Sequence, residues 1–300
     1  MTELTHIRTP VLDIACEQGG PAGATPVVLL HGFPYDPRAF DGVVARLNQA
    51  GHRTIVPYLR GYGATRFLSP DTLRSGQQAA LAQDLLDLLD ALGIERAVLA
   101  GFDWGGRAAC IVAALWPARV AGLISCGGYN LQNLAIADRP ADPEQELRYW
   151  YQYYFNTERG RNGLADNRHA LCKRLWTMWS PGWAFDDATY EQTATSFENE
   201  DFVDVVIHSY RHRLNNAPGD PRYDAIEMQL MTQPTISVPA IVIHGASDGV
   251  TPAAISESHF KKFGPRYERR VWPDAGHNPP QERPDAFAAT ILELCAASQD

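Results

Sequence analysis

The sequence has few cysteines, and they form no pattern typical of a disulfide framework or a zinc site. The 300-residue chain contains five, an odd number, and no two of them stand in a Cys-x-x-Cys pair. Neither structural disulfides nor a metal centre is therefore indicated. We expect buried, reduced thiols. The five residues are Cys16, Cys110, Cys126, Cys172 and Cys295.

Long apolar segments and an excess of positive charge are also missing. No apolar run is long enough to span a bilayer, and the N-terminal MTELTHIRTP has no apolar signal core. The formal net charge of −9 opposes binding to nucleic-acid phosphates or anionic membranes. We therefore expect a cytoplasmic protein whose partner is a small molecule, with no nucleic acid and no membrane; a homodimer is compatible with the sequence.

What the sequence does contain is an alternation of strand-like and helix-like segments. Continuous apolar runs such as 27–30 and 97–100 are typical of strands that are covered on both faces. Amphipathic segments, such as 75–92, lie between them. This order predicts an α/β protein with a parallel sheet between layers of helices. The predicted strands are 11–16, 27–30, 54–56, 97–100, 120–125, 240–243 and 267–272, and predicted helices include 40–49 and 284–297.

The alternation stops in the middle of the chain. From about 129 to 237 the sequence has no convincing core strand and instead contains aromatic-rich helical segments. We interpret residues 129–237 as a helical cap inserted into a core formed by residues 1–128 and 238–300. A pocket is expected between the two parts. The predicted cap helices are 144–155, 168–179, 187–197 and 202–214.

The stretch AVLAGFDWGGRAACIV, residues 97–112, predicts a strand, a sharp turn and a helix. Glycines surround the single polar residue Asp103, as a tight strand-to-helix turn requires. At a helix N-terminus the helix dipole favours a negative charge, so we expect an ionised carboxylate. Asp103 is therefore a candidate nucleophile.

An aspartate nucleophile restricts the chemistry. Attack on a carboxylic ester would give an anhydride, which offers little advantage, whereas attack on a saturated carbon gives an alkyl ester that water can cleave. A serine at the same position would be trapped as an ether. The turn therefore favours substitution at tetrahedral carbon.

Two further strand ends carry polar groups that complete this chemistry. Asp248 follows the strand 240–243, and His277 follows the last strand. The chain order of nucleophile, acid and histidine suits a histidine that removes a proton from water and an acid that orients it. The backbone N–H groups of Phe33 and Trp104 are candidates for binding the oxyanion that forms when water attacks the ester.

Together these motifs resemble the α/β-hydrolase superfamily, in the branch of epoxide hydrolases and haloalkane or haloacetate dehalogenases. The resemblance implies an α/β-hydrolase fold with a mostly parallel eight-stranded sheet, an inserted helical cap and no cofactor or metal. The chain departs from many relatives at Phe102, where they have histidine. The motifs are HGFP at 31–34, RGYG at 60–63, DWGG at 103–106, HGASD at 244–248 and GH at 276–277.

Within this branch, cap residues decide the substrate class. The resemblance to epoxide hydrolases implies two cap tyrosines that donate to the epoxide oxygen, and Tyr151 and Tyr210 are the candidates. An opening epoxide leaves an alkoxide that needs a proton, and a phenol can supply it. Halide needs only N–H donors. The other expected pocket residues are His31, Pro34, Gln152 and Phe155.

The sequence therefore predicts a cofactor-free epoxide hydrolase that forms a covalent ester on Asp103. Two alternatives stay open at this point. One is a dehalogenase that uses the same aspartate on a haloacid or haloalkane. The other is a non-enzymatic receptor for a small ligand. Binding alone does not require the nucleophile, acid and histidine together, so the sequence disfavours this alternative.

Overall fold

A nine-stranded sheet forms the centre of the computed structural model, which describes residues 3–297 of the chain. The predicted apolar runs are its buried strands, and the outermost strand is half exposed. The strands are β1 (Glu3–Arg8), β2 (Leu12–Gly19), β3 (Pro26–Leu30), β4 (Arg53–Pro57), β5 (Arg66–Phe67), β6 (Ala97–Gly101), β7 (Val120–Cys126), β8 (Ala240–Gly245) and β9 (Tyr267–Trp272).

Eight of these strands form one continuous path in the order β1-β2-β4-β3-β6-β7-β8-β9, and the short β5 pairs with β2. All pairs from β4 to β9 along this path are parallel, whereas β2 is antiparallel to its neighbours β1, β4 and β5. The predicted α/β-hydrolase fold is confirmed. Because the strands are parallel, the carboxyl ends of β3, β6 and β8 meet at one edge of the sheet, where ligands bind in such folds.

Helices cover the sheet, and the segment between β7 and β8 is helical in the described chain apart from turns and one isolated β-bridge at Ile236. Its division from the core as a cap stays a prediction. No helix within residues 3–297 is both long and apolar enough to cross a membrane. The helices are α1 (Asp41–Gln49), α2 (Gln78–Ala91), α3 (Asp103–Leu115), α4 (Pro143–Arg148), α5 (Trp150–Phe155), α6 (Glu158–Trp179), α7 (Asp187–Ala194), α8 (Phe202–Arg213), α9 (Asp224–Met231), α10 (Pro279–Glu282) and α11 (Pro284–Ala297).

A buried ion pair joins the loop after β4 to helix α2. The guanidinium of Arg60 donates two hydrogen bonds of 2.6 Å to the carboxylate of Asp84 and one of 2.7 Å to the carbonyl of Ser75. This last bond holds residue 75 outside the helix, which is why α2 begins at Gln78 rather than at the predicted residue 75. The pair therefore fixes the RGYG loop against the core.

Replacing Asp84 with asparagine is expected to lower the free energy of unfolding by about 3–5 kcal/mol, because it leaves the buried Arg60 charge uncompensated. Urea denaturation measures this change. The matched control is Asp90→Asn in the same helix α2. Asp90 is exposed and paired with Arg119, so this change should lower the free energy of unfolding by less than about 1 kcal/mol. Equal losses for the two variants would contradict a structural role for the buried pair.

Candidate active site

The turn between β6 and α3 places Asp103 at the carboxyl edge of the sheet. Asp103 has a φ of 50°, in the left-handed region that few non-glycine residues adopt. A Cβ on Gly105 would lie 2.1 Å from the carbonyl oxygen of Leu30, and a Cβ on Gly32 would lie 2.3 Å from Oδ1 of Asp103. Glycine is therefore required at both positions for this carboxylate to occupy its place.

The two carboxylate oxygens of Asp103 have different surroundings. Oδ1 accepts a hydrogen bond of 2.8 Å from the backbone N–H of Phe33. Oδ2 lies 3.6 Å from Nε2 of His277. Burial by itself would raise the pKa of Asp103, but the nearby His277, the charge of Arg107 and the Trp104 N–H outweigh it and lower the pKa. Asp103 is therefore an anion at neutral pH.

His277 lies between two carboxylates. Its Nδ1 is 3.0 Å from Oδ2 of Asp248, and that aspartate also accepts hydrogen bonds from the N–H groups of Val250 and Thr251. Burial by itself would lower the pKa of His277, but the charge of Asp248, its hydrogen bond to the ring and the charge of Asp103 raise it well above its usual 6.5. Asp248 orients the ring and stabilises its protonated form.

A cavity of about 100 Å³ opens beside Asp103. Among the predicted residues, it is lined by Asp103, Asp248, His277, Tyr151 and Gln152. The cavity is small for a ligand site. This size suits a substrate of few heavy atoms.

The two predicted tyrosines pack against each other, and Tyr151 lines the cavity whereas Tyr210 does not. Their ring centroids are 5.4 Å apart, and the Tyr210 ring also contacts Phe33 and Trp104. The Tyr151 oxygen accepts a 3.3 Å hydrogen bond from Gln152, which leaves its own hydrogen available, while the Tyr210 hydroxyl makes no hydrogen bond within residues 3–297. Burial raises the pKa of both phenols, and the charge of Arg213, which lowers it, does not outweigh burial. Both tyrosines therefore keep their protons at neutral pH.

Three residues that the sequence placed in the pocket do not line this cavity. Both ring nitrogens of His31 are engaged by the backbone, because Nε2 accepts from the N–H of Leu59 and Nδ1 lies 3.2 Å from the carbonyl of Gly32. The carbonyl of Pro34 accepts from the indole of Trp176, and Phe155, at the end of α5, packs against the ring of Phe33. Gln152 alone of the four expected pocket residues lines the cavity.

The sequence analysis did not single out three residues that the structure brings to the site. Arg107 and Arg213 line the cavity, and the Trp179 ring lies 5.1 Å from that of His277. One signal was available for Arg107. It follows Asp103 by four residues, so the two side chains lie on the same helical face one turn apart. Arg213 and Trp179 reach the site through the packing of the cap segment, which no local pattern reveals.

Comparisons with known proteins agree with this fold. Epoxide hydrolase A of Mycobacterium tuberculosis is 26% identical over 308 residues, which cover 92% of this chain and 92% of that protein. Epoxide hydrolase B of the same organism is 33% identical over 211 residues, 65% of this chain and 57% of that protein. The crystal structure of a candidate epoxide hydrolase from Klebsiella pneumoniae has 46% identity and a TM-score of 0.95, with 97% of each chain covered.

The family model for the alpha/beta hydrolase fold matches residues 25–284, which include the turn at Asp103, Asp248 and His277. This match and the similarity to epoxide hydrolases set aside the non-enzymatic receptor. The chain therefore belongs to the α/β-hydrolase fold family and is an epoxide hydrolase-like enzyme.

Proposed function

We propose that this enzyme opens a small epoxide to a vicinal diol through a covalent ester on Asp103. The observation that carries the proposal is the arrangement around the carboxylate, where one oxygen is held by a backbone N–H and the other faces His277, in a cavity that Tyr151 also lines and with Tyr210 packed against Tyr151. The names of the relatives in Mycobacterium tuberculosis and Klebsiella pneumoniae support the same reaction.

In the first step, Oδ2 of Asp103 attacks an epoxide carbon and the carbon–oxygen bond of the ring breaks. The electron pair of that bond moves to the epoxide oxygen. Tyr151 and Tyr210 donate to this oxygen, since their raised pKa values keep both hydroxyls protonated. The product of this step is an alkyl ester that carries a hydroxyl group on the neighbouring carbon.

In the second step, water attacks the carbonyl carbon of the ester. Ester formation removes the negative charge of Asp103, so one of the two charges that raise the pKa of His277 is lost and the ring becomes a better base. His277 takes the proton of water, while the N–H groups of Phe33 and Trp104 stabilise the oxyanion. The intermediate collapses as its bond to the substrate oxygen breaks, and that oxygen takes the proton from His277 as the diol leaves. The second proton of the attacking water returns to the tyrosine that protonated the epoxide oxygen, and one carboxylate oxygen of Asp103 then comes from water.

Hydrolytic dehalogenation is the second candidate, and one observation favours it. The indole N–H groups of Trp104 and Trp179 are buried and have no acceptor within residues 3–297. Such donors suit a halide ion, which needs N–H groups and no proton. The nucleophile, the base and the oxyanion donors would be the same, so the two reactions differ in what stabilises the leaving group.

Replacing Tyr151 with phenylalanine separates these two candidates. We expect turnover of glycidamide, a small neutral epoxide, to fall by about 100-fold, because the alkoxide loses one of two proton donors. The matched control is Tyr154→Phe, a half-buried tyrosine in the same helix that does not line the cavity, and it should keep wild-type turnover. Initial rates of diol formation and of halide release from chloroacetate are measured in parallel. One outcome would contradict the proposal and favour the dehalogenase. In it, the wild type does not turn over the epoxide, and Tyr151→Phe releases halide at the wild-type rate.

A further inference from the structure

Two positive side chains line the cavity that contains the nucleophile. Arg107 lies in α3 one turn beyond Asp103, and Arg213 is the last residue of α8. Within residues 3–297, neither guanidinium forms an ion pair with a carboxylate. Arg60, by contrast, is fully paired with Asp84 in the core. The charges of Arg107 and Arg213 are therefore available to a ligand.

The surroundings of Arg107 hold its guanidinium in place but provide an acceptor for only one of its three nitrogens. Its Nε donates a 3.2 Å hydrogen bond to the carbonyl of Asn130, and its two terminal amino groups have no acceptor within the described chain. Burial and the nearby charge of Arg213 lower the pKa of Arg107 to about 10. The two cations therefore repel each other in the empty cavity, and an anion bound between them would relieve this repulsion.

The position of Arg213 is also fixed. Its guanidinium carbon lies 4.7 Å from the centre of the Tyr210 ring, a cation–π contact. When the side-chain amide of Gln132 is turned with its oxygen towards Arg213, that oxygen accepts from Nε and Nη2. The remaining amino group, Nη1, has no acceptor in the described part of the chain. Two preset guanidinium groups suit a carboxylate, whose two oxygens can accept from both at once.

Both arginines also line a second, outer pocket that adjoins the first. The arginines lie at the boundary between the inner cavity and the outer pocket, because both line the two pockets. The shared residues are Arg107, Asn130, Tyr149, Gln152, Arg213 and Thr251. A negatively charged substrate entering from the outer pocket meets these cations before it reaches Asp103. Their charge offsets the repulsion between an anionic substrate and the Asp103 carboxylate.

We infer that Arg107 and Arg213 form a carboxylate-binding subsite and that the substrate is a small epoxy acid. The inference rests on the proposed epoxide hydrolysis and names its substrate class. Asp103 and Arg107 are one helical turn apart, about 5–6 Å between their Cβ atoms. This spacing fits a carboxylate attached directly to the epoxide, or through one further carbon. The inner cavity of about 100 Å³ suits a short epoxy acid.

The test compares glycidate with glycidamide, a neutral molecule of nearly the same shape. We expect the wild type to prefer glycidate, and Arg213→Gln and Arg107→Gln to lower kcat/KM for glycidate by about 10- to 100-fold, mainly through KM. The value for glycidamide should change far less. The matched control is Arg161→Gln. Arg161 lies in α6 and is paired with Asp204 on the surface, so its loss should leave kcat/KM for both substrates unchanged.

The ratio of the two kcat/KM values is the decisive quantity, because it cancels effects that do not depend on the substrate's charge. Loss of Arg107 raises the pKa of Asp103, and loss of Arg213 raises that of Tyr151, but both changes affect glycidate and glycidamide alike. A ratio that stays at its wild-type value in both variants would overturn the subsite. Thermal unfolding of each variant checks that the fold is intact.

A binding measurement separates failure of the subsite from failure of the proposed function. Calorimetry of lactate binding to wild type and to Arg213→Gln needs no epoxide turnover. Arginine-dependent binding of lactate without hydrolysis of any epoxide would support the subsite and overturn the epoxide hydrolase. Hydrolysis of glycidamide without arginine-dependent binding of lactate or glycidate would overturn the subsite and keep the hydrolase.

Discussion

Replacing Asp103 with asparagine is expected to reduce epoxide turnover by at least about 10⁴-fold, the scale of loss on removing a catalytic nucleophile. The amide has nearly the same size and can still accept the Phe33 N–H through its oxygen. Its nitrogen, however, has no available electron pair with which to attack carbon. The rate of diol formation from glycidamide measures the effect. Asp90→Asn, a surface substitution in α2, is the control and should retain full activity.

An isotope experiment shows whether Asp103 is a nucleophile or a base. If the ester forms, a single turnover in oxygen-18 water places the label in the Asp103 carboxylate and leaves the first diol unlabelled. Label in that first diol would show that water attacks the epoxide directly. In that case Asp103→Asn would still be inactive, but through loss of a base, so the labelling result is the one that decides between the two mechanisms.

The meeting of Asp103, Asp248 and His277 at one site could be predicted from the sequence because local physical constraints place them. Only small residues fit around the turn at Asp103, as the close approach of Gly105 to the Leu30 carbonyl shows. Asp248 and His277 follow the ends of strands β8 and β9 within five residues. Parallel strands then bring these residues to one edge. A pattern within a few residues of each strand was therefore sufficient to predict that these side chains lie close together.

The walls of the pocket could not be predicted in the same way, because they depend on how distant helices pack. His31 stands in a motif next to the active site, yet both of its nitrogens face backbone groups. Arg213 reaches the cavity from the end of α8, about 110 positions along the chain from Asp103. The first strand, β1, was missed because its polar sequence ELTHIR lies at the exposed edge of the sheet.

Replacing His277 with glutamine is expected to stop the reaction after the first step. Asp103 keeps its backbone donor from Phe33 and can still attack the epoxide, but no base removes the proton of the attacking water. Turnover should fall by at least about 10⁴-fold. The alkyl ester should accumulate, so the intact protein gains the mass of one epoxide molecule. His169→Gln, an exposed histidine paired with Glu198, should show no such gain.

The same argument predicts how the wild type responds to pH. In the free enzyme, Asp103 has a lowered pKa and stays ionised in mild acid, so ester formation continues there. Hydrolysis of the ester needs neutral His277. The pKa of His277 is lower in the ester than in the free enzyme, because the Asp103 charge is gone, but Asp248 still raises it. As the pH decreases, His277 becomes protonated in the ester and hydrolysis slows first. Mass spectrometry of the quenched wild-type enzyme should therefore show much of the alkyl ester at low pH and little of it at high pH. In His277→Gln the amount of ester should not depend on pH over this range. An adduct that the wild type forms equally at all pH values, or that His277→Gln never forms, would show that His277 does not act on the ester.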